Sequence, residues 1–143
     1  MNGRYGYGVL FTLEEGGYVV SCRDIPEVVT QGRTLAEALD EASDPMDEAF
    51  AARLEDGLEF PKPSKLEEGE RVVYPAAETA AKAALYMTMH EQRITKSDLA
   101  RRMRIDEKEV RRMLDPHHGS RVDRIGEALR LLGKELAVGT RST

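Results

Sequence analysis

The apolar residues of the chain form strand-like runs before residue 33 and follow helical spacing directly after it. Residues 5–13, YGYGVLFTL, are rich in the aromatic and β-branched residues that strands favour, and YVVSC follows at 18–22 after EEGG. Gly16 and Gly17 can adopt the positive φ angles of a tight turn, so these residues predict a β-hairpin. A third strand is predicted at 27–32, EVVTQG, because Pro26 lacks a backbone N–H and suits a strand start or a sheet edge.

A helix is predicted to begin after Thr34, which can act as its N-cap with Glu37 three residues later. Its apolar residues recur at steps of three and four and predict one buried face, formed by Leu35, Ala38, Leu39, Ala42, Met46, Ala49 and Phe50. Pro45 should kink this helix or end its first part at about Ser43. The polar connection FPKPSKLEEGE at 60–70 then leads to a short strand, RVVYP, at 71–75. The predicted order is β-β-β-α-β, with the helix covering one face of the sheet.

The rest of the chain predicts helices only. Residues 78–90, ETAAKAALYMTMH, have high helix propensity. Three later helices have candidate N-caps, each with an acidic residue three positions on, in the pairs Thr95 with Asp98, Asp106 with Glu109, and Ser120 with Asp123. The last helix has an apolar stripe made of Val122, Ile125, Leu129, Leu132 and Leu136. Four helices in this span predict an all-α module and an α+β fold for the chain.

The second and third of these helices lie within TKSDLARRMRIDEKEVRRMLD at 95–115 and are joined by only three residues, RID. So short a turn forces a large crossing angle, which is typical of a helix-turn-helix. Ala100 is small where the two helices must approach closely, and Ile105 and Val110 should fill the corner behind them. The turn often carries glycine, and here Arg104 takes that place, so the backbone is either less strained or tolerates a cost of about 1 kcal/mol.

The third helix presents cationic side chains that its core does not use. Lys108, Arg111 and Arg112 are predicted to meet base edges in the major groove, because Arg and Lys can donate to guanine O6 and N7. Phosphate contacts are predicted for Lys96, Ser97 and Arg121. The alternative is a helix pair that only packs, with its basic residues as a solvated surface.

Charge divides the chain of 143 residues at about residue 77. Residues 1–77 carry 7 Lys+Arg and 16 Asp+Glu, a net charge of −9, whereas residues 78–143 carry 14 and 10, a net of +4. We therefore expect two domains, 1–77 and 78–143, the first facing a cationic partner and the second an anionic one. No apolar run approaches the roughly 18 residues that cross a bilayer, and the N-terminus lacks the layout of a signal peptide. These features predict a cytoplasmic protein that does not contact a membrane.

Candidate catalytic and metal-binding residues are sparse. Metal-dependent nucleases need several converging carboxylates, and Asp24 is the only acid of the first strands apart from the turn pair and the strand-start Glu27. We name the acids at 40–48 the acidic strip, predicted to be solvated or to face a partner: Asp40, Glu41, Asp44, Asp47 and Glu48. The lone Cys22 and the histidines His90, His117 and His118 lack the spacing of a metal site. We expect no catalysis, cofactor or metal, while a DNA-directed nuclease or a repressor that senses a small ligand remain the alternatives.

Several segments resemble the HicB antitoxins that carry a C-terminal helix-turn-helix. They are GYVVSCRDIPEVVTQGRTLAEALDEA, FPKPS and LARRMRIDEKEVRRMLD with RVDRIGEALRLLGKEL, and the most telling motifs are residues 24–26, 30–32 and 132–134. Many members have Gly-Cys after the proline of the first motif, where this chain has Glu27-Val28.

The resemblance implies a partial RNase H-like N-terminal domain without nuclease activity and a C-terminal domain of the Xre/Cro type. It implies that the first domain binds a HicA-type toxin, a small and typically basic ribonuclease that cleaves mRNA and has a double-stranded-RNA-binding-like fold. The second domain would bind the operator of its own operon as a dimer. For the toxin contact we expect Asp24, Asp40, Asp44 and Asp47.

Overall fold

A four-stranded antiparallel sheet and six helices form the part of the chain that the structure, a computed structural model, describes, which is residues 4–142. The strands are β1 Tyr7–Glu14, β2 Gly17–Cys22, β3 Val29–Gly32 and β4 Glu70–Val73. The helices are α1 Leu35–Glu41, α2 Ser43–Asp56, α3 Ala77–Gln92, α4 Lys96–Met103, α5 Glu107–Leu114 and α6 Val122–Leu131. The predicted α+β class is confirmed.

The sheet has the strand order β3-β2-β1-β4. The predicted hairpin is confirmed, with Val9 opposite Cys22 and Glu14 opposite Gly17. Gly17 turns the chain at a φ of 140°, and a Cβ there would collide with the carbonyl oxygen of Gly32 on the next strand. Strand β4 pairs with the other edge of β1. Strand β1 therefore lies between β2 and β4, which are far apart in the sequence.

The helix predicted at 34–50 is divided in two. Thr34 caps α1 by accepting a hydrogen bond from the Glu37 backbone N at 3.1 Å, as predicted. Ala42 separates α1 from α2, so the predicted interruption near Ser43 is confirmed as a break and the element order is β-β-β-α-α-β. Pro45 lies in the first turn of α2, where a backbone N–H has no intrahelical acceptor and its loss costs little.

The first hydrophobic cluster lies between the sheet and helices α1 and α2. Its centre is aromatic, with the Phe50 ring centroid 4.7 Å from that of Phe60 and 5.9 Å from that of Tyr7. The Tyr7 hydroxyl donates to the Pro61 carbonyl at 2.7 Å, and the Arg4 guanidinium donates to the Phe60 and Pro61 carbonyls at 2.6 Å. These contacts fix the proline-containing connection against the sheet.

The second cluster lies among α3, α4, α5 and α6, and helix α3 contributes to both clusters. Ala83 and Met87 belong to the first cluster, whereas Leu85 and Met89 belong to the second. Each core is therefore incomplete without α3. The division into domains at residue 77 stays a prediction, and any truncation experiment needs to retain α3 in both fragments.

The predicted N-caps of the helical half have different outcomes. Thr95 and Asp98 form the reciprocal capping box of α4, with both hydrogen bonds at 3.0 Å. Asp106 caps α5 through the Lys108 backbone N at 2.8 Å. The prediction that Ser120 caps the last helix is wrong: Arg121 is the N-cap residue of α6, and its side chain makes no capping hydrogen bond. The apolar stripe of that helix is also shorter than predicted, because α6 ends at Leu131, although Leu136 still packs on the second cluster.

A bidentate ion pair joins Arg23, the residue directly after β2, to Glu70 at the start of β4 and allows a pH prediction. Arg23 donates to both carboxylate oxygens of Glu70 at 2.8 Å, and these bonds lower the pKa of Glu70 to about 2. We expect an NMR titration to show this value, and Arg23→Gln to return the Glu70 pKa toward its ordinary range. Because the folded-state pKa is depressed, the stabilisation is complete above the unfolded pKa of about 4.3 and is lost as the pH falls toward 2.

The control for this titration is Arg71→Gln, which removes the same charge from strand β4 at the residue next to Glu70. The difference in free energy of unfolding between wild type and Arg23→Gln should shrink on acidification, while the control follows the wild type. A Glu70 pKa that stays near 2 without Arg23 would contradict the assignment of its cause.

Candidate nucleic-acid interface and acidic strip

A three-residue turn, Arg104 to Asp106, joins α4 to α5. Arg104 has a left-handed backbone, with φ 58° and ψ 45°, and ends α4. Two hydrogen bonds to the Ala100 carbonyl, from the backbone N of Arg104 and of Ile105, close the helix. Of the two possibilities that the sequence leaves open, the structure shows the strained one, which costs about 1–2 kcal/mol for a residue with a Cβ.

The inner side of this helix pair is apolar. Leu99 and Val110 are fully buried, Ala100 is nearly so at the close approach, and Met113 belongs to the same cluster. Ile105 packs against them from the turn. The predicted core of the pair is confirmed, and the remaining positions of α5 face away from it.

All six residues predicted to contact DNA are exposed. Within residues 4–142, the side chains of Lys96, Lys108 and Arg112 have no ion-pair partner. Arg111 pairs with Glu107 at 3.0 Å, and Arg121 donates to both carboxylate oxygens of Asp123 at 3.1 and 2.6 Å. Exposed pairs of this kind contribute little to stability, so a phosphate can replace the carboxylate partner.

A short hydrogen-bonded chain connects the two helices on their outer surface. Ser97, at the start of α4, donates its hydroxyl to Glu107 Oε2 at 3.0 Å, while Arg111 donates to Glu107 Oε1 at 3.0 Å. The carboxylate therefore fixes the guanidinium of Arg111 relative to the beginning of α4. Glu107 was not among the predicted contact residues, although its position four residues before Arg111 is the spacing of a helical ion pair.

A buried lysine, Lys82 on α3, also lies outside the predicted set. It is only 1% exposed, and its Nζ donates to the Arg112 carbonyl at 3.0 Å, the Met113 carbonyl at 3.2 Å and the Ser120 hydroxyl at 2.9 Å. Burial lowers the pKa of Lys82, and the carboxylate of Glu78 opposes that shift. The available sequence signal is its spacing, because Lys82 precedes the buried Leu85 by three residues and Met89 by seven.

The acidic residues predicted to face the toxin occupy two kinds of environment. Asp40 and Asp44 are exposed and have no ion pair within the described residues. Asp47 is half-buried and accepts a hydrogen bond from the Ala76 backbone N at 2.7 Å, just before α3. Asp24 accepts from the backbone N and the hydroxyl of Ser64, at 2.8 and 2.5 Å, and so holds the connection that precedes β4. The structure thus leaves the carboxylates of Asp40 and Asp44 free for a partner and gives those of Asp24 and Asp47 bonds within the chain.

Two of the three histidines each contact one acidic residue. His90 lies 2.8 Å from the Glu59 carboxylate, and His117 contacts Glu55. Among residues 4–142 there is no group of three or more side chains that could hold a metal ion. In the same range, every helix is too short or too polar to span a bilayer.

Comparisons with known proteins cover both the sheet and the helical half. The family model for a HicB-like antitoxin of a bacterial toxin-antitoxin system matches residues 4–84. Antitoxin HicB of Escherichia coli K12 is 38% identical over 124 residues, which cover 87% of this chain and 90% of that protein. Antitoxin HicB 2 of Photorhabdus laumondii is 39% identical over 130 residues, covering 91% and 92%. Antitoxin HicB of Pseudomonas fluorescens is 35% identical, covering 90% and 89%.

Proposed function

Because the chain belongs to the HicB family of antitoxins of bacterial toxin-antitoxin systems, we propose that it neutralises a HicA-type mRNA-cleaving toxin and represses its own operon. It would do both by binding, with the first half of the chain bound to the toxin and the second half to operator DNA. The length of the similarity carries this proposal, since it extends over 87% of the chain and so includes the helices as well as the sheet.

The first half provides an acidic surface on a folded sheet. We assign it a partial RNase H-like fold, supported by an antiparallel sheet with α1 and α2 packed on one face. Its net charge of −9 suits a basic toxin, and the acidic strip places exposed carboxylates on the helices. Asp24, the acid that a nuclease would need most, has both carboxylate oxygens bound by Ser64, which supports binding without catalysis.

The second half provides a cationic helix pair. We assign α4 and α5 to a helix-turn-helix, with α5 in the major groove and the N-terminal end of α4 at the phosphate backbone. The assignment is supported by Lys96, Lys108 and Arg112, which have no ion pair within residues 4–142, together with Arg111 and Arg121. A homodimer would present two copies of α5 to a palindromic site. With mRNA-cleaving toxin and operator DNA as partners, we place the protein in the cytoplasm and assign it no cofactor.

Co-expression tests the proposal directly. A basic protein of under about 100 residues encoded beside this gene should arrest growth when it is produced alone, and this chain should restore growth. The same purified chain should shift a DNA duplex taken from upstream of its own coding sequence and not a scrambled duplex. Loss of the first result removes the antitoxin assignment, and loss of the second removes the repressor assignment alone.

The acidic strip should accelerate the encounter with the toxin. Replacing Asp40 and Asp44 by Lys is expected to lower the association rate constant by about tenfold at low salt, because long-range attraction between unlike charges steers association. The effect should diminish as salt screens the charges. Stopped-flow measurements at two ionic strengths give the rate constants.

The matched control for the strip is Glu14→Lys with Glu15→Lys, at the tip of the hairpin. These residues are exposed and form no ion pair within the described chain, and their replacement changes the net charge by the same amount. An equal decrease in both variants would show that net charge alone steers the toxin and that the strip has no special place in the encounter.

A further inference from the structure

Lys82 is a charged side chain at the centre of the helical half, away from each of the surfaces assigned above. It lies on α3, is 1% exposed, and contacts the end of α5 and the loop that precedes α6. A lysine is almost never fully buried unless its ammonium has partners. The cost of burying a charge in this place calls for a specific role.

The ammonium has three N–H groups, and the structure gives each an acceptor. Two acceptors are the carbonyls of Arg112 and Met113, at 3.0 and 3.2 Å, and the third is the hydroxyl of Ser120 at 2.9 Å. The last four carbonyls of a helix have no intrahelical donor, and its C-terminal end favours a positive charge. Lys82 therefore completes the C-terminal end of α5 from a neighbouring helix.

Ser120 strengthens the same junction. Its hydroxyl donates to the Arg112 carbonyl at 3.1 Å, and its backbone N donates to Glu78 at 2.6 Å. The Ser120 hydroxyl proton and the Lys82 protons are all donated to acceptors within the chain. Neither Ser120 nor Lys82 is therefore left as a free base that could activate a nucleophile. These hydrogen bonds form a junction between α3, α5 and the loop before α6.

Arg112 belongs both to this junction and to the proposed DNA surface. Its carbonyl accepts hydrogen bonds from Lys82, from Ser120 and from the Asp115 backbone N, whereas its guanidinium is exposed and has no ion pair within residues 4–142. The helix α5 has only eight residues, so a shift of its end alters the orientation of every side chain that it presents.

We propose that Lys82 is a positioning residue for DNA recognition, which fixes the end of α5 on α3 and thereby sets the orientation of Lys108, Arg111 and Arg112. The proposal rests on the proposed operator binding. Lys82 itself contacts no phosphate, because its ammonium is enclosed by α5 and the Ser120 loop. Its removal should thus reduce discrimination between DNA sequences more than it reduces general affinity for DNA.

The test uses the full chain with Lys82→Met, which keeps a long apolar side chain and removes the ammonium. Affinity for the duplex from upstream of its own gene should fall by about 10- to 100-fold, the range for hydrogen bonds to a charged group. Affinity for a scrambled duplex should change by less than about threefold, and the log–log salt slope should stay the same because no phosphate contact is lost. Fluorescence anisotropy at two salt concentrations measures both quantities.

Lys134→Met is the matched control, because it removes one positive charge from an exposed lysine of the same half, 3.1 Å from Glu91. It should leave the ratio of the two affinities unchanged. If Lys82→Met weakens both duplexes by the same factor, or neither, the positioning role is overturned.

A second variant keeps the test decisive if Lys82→Met does not fold. Ser120→Ala removes one acceptor of Lys82 and one hydrogen bond to the Arg112 carbonyl, and should reduce the affinity ratio by roughly two- to tenfold. An unchanged ratio in this variant overturns the proposal. Failure of the wild-type chain to prefer the upstream duplex is a different result, which removes the proposed operator binding on which the role of Lys82 depends.

Discussion

Simultaneous replacement of Lys108, Arg111 and Arg112 by Ala is expected to abolish operator binding while toxin neutralisation stays intact. Each lost base contact costs about 1–3 kcal/mol, so the three together should weaken specific binding by at least about a hundredfold per monomer. A dimer on a palindromic site doubles the loss of free energy. The three side chains are exposed and do not belong to the first hydrophobic cluster, so the acidic half should remain folded.

A gel-shift titration at two salt concentrations measures the loss, beside a growth assay with the toxin. Each cation that contacts phosphate, where Lys96 is the clearest candidate, should lower the log–log salt slope by about 0.9 when it is replaced. The control triple variant replaces Arg93, Lys134 and Arg141 by Ala, which removes the same charge from exposed positions outside α4 and α5. Unchanged operator affinity in the α5 variant would show that its basic residues are only a solvated surface.

The second large effect is expected from the aromatic centre of the first cluster. Phe50→Ala should lower the free energy of unfolding by about 3–5 kcal/mol, because it leaves a cavity where surrounding rings cannot collapse. Phe50 is fully buried, and its ring lies 6.2 Å from Tyr5, 5.9 Å from Tyr7 and 4.7 Å from Phe60. A total stability of about 5–15 kcal/mol is usual, so this single change removes a large part of it and should lower the amount of folded protein in cells.

Urea denaturation of the purified variant measures the change in free energy. Phe11→Ala is the matched control, because the same group is removed from a half-buried position at the edge of the same cluster. A half-exposed ring loses less apolar contact, so its free energy of unfolding should fall by about 1–2 kcal/mol. Equal losses in the two variants would contradict the placement of Phe50 at the centre of the core.

Local features of the sequence determined most of the elements of this protein. The glycine pair of the hairpin and the N-caps Thr34, Thr95 and Asp106 act on backbone groups within a few residues, so their effect is visible in the sequence itself. Helical spacing likewise separated the buried side of α4 and α5 from the exposed cations. The same periodicity identified Phe50 as a core residue, because the buried face of a helix recurs every three or four residues.

The hydrogen-bond partners of a polar side chain such as Ser120 depended on the tertiary structure. Ser120 precedes a helix and matches an N-cap pattern, yet its hydroxyl serves Lys82, which is 38 residues away in sequence. A buried ammonium without acceptors costs far more than the roughly 1 kcal/mol that a helix loses without a capping side chain. The competing demand arises only when α3 and α5 pack together, so no local pattern contains it.

The same reason explains the acidic residues and helix α3. The sequence does not distinguish the four aspartates that were predicted to contact the toxin. Folding brings Ser64, 40 residues away, to Asp24, and Ala76, 29 residues away, to Asp47. Asp40 and Asp44 stay exposed to solvent. Helix α3 has apolar residues on more than one side, and these residues pack into two different cores because they face different neighbours. Local pattern thus fixed which residues are apolar, capping or cationic, and long-range packing decided which of the polar ones remain free to bind a partner.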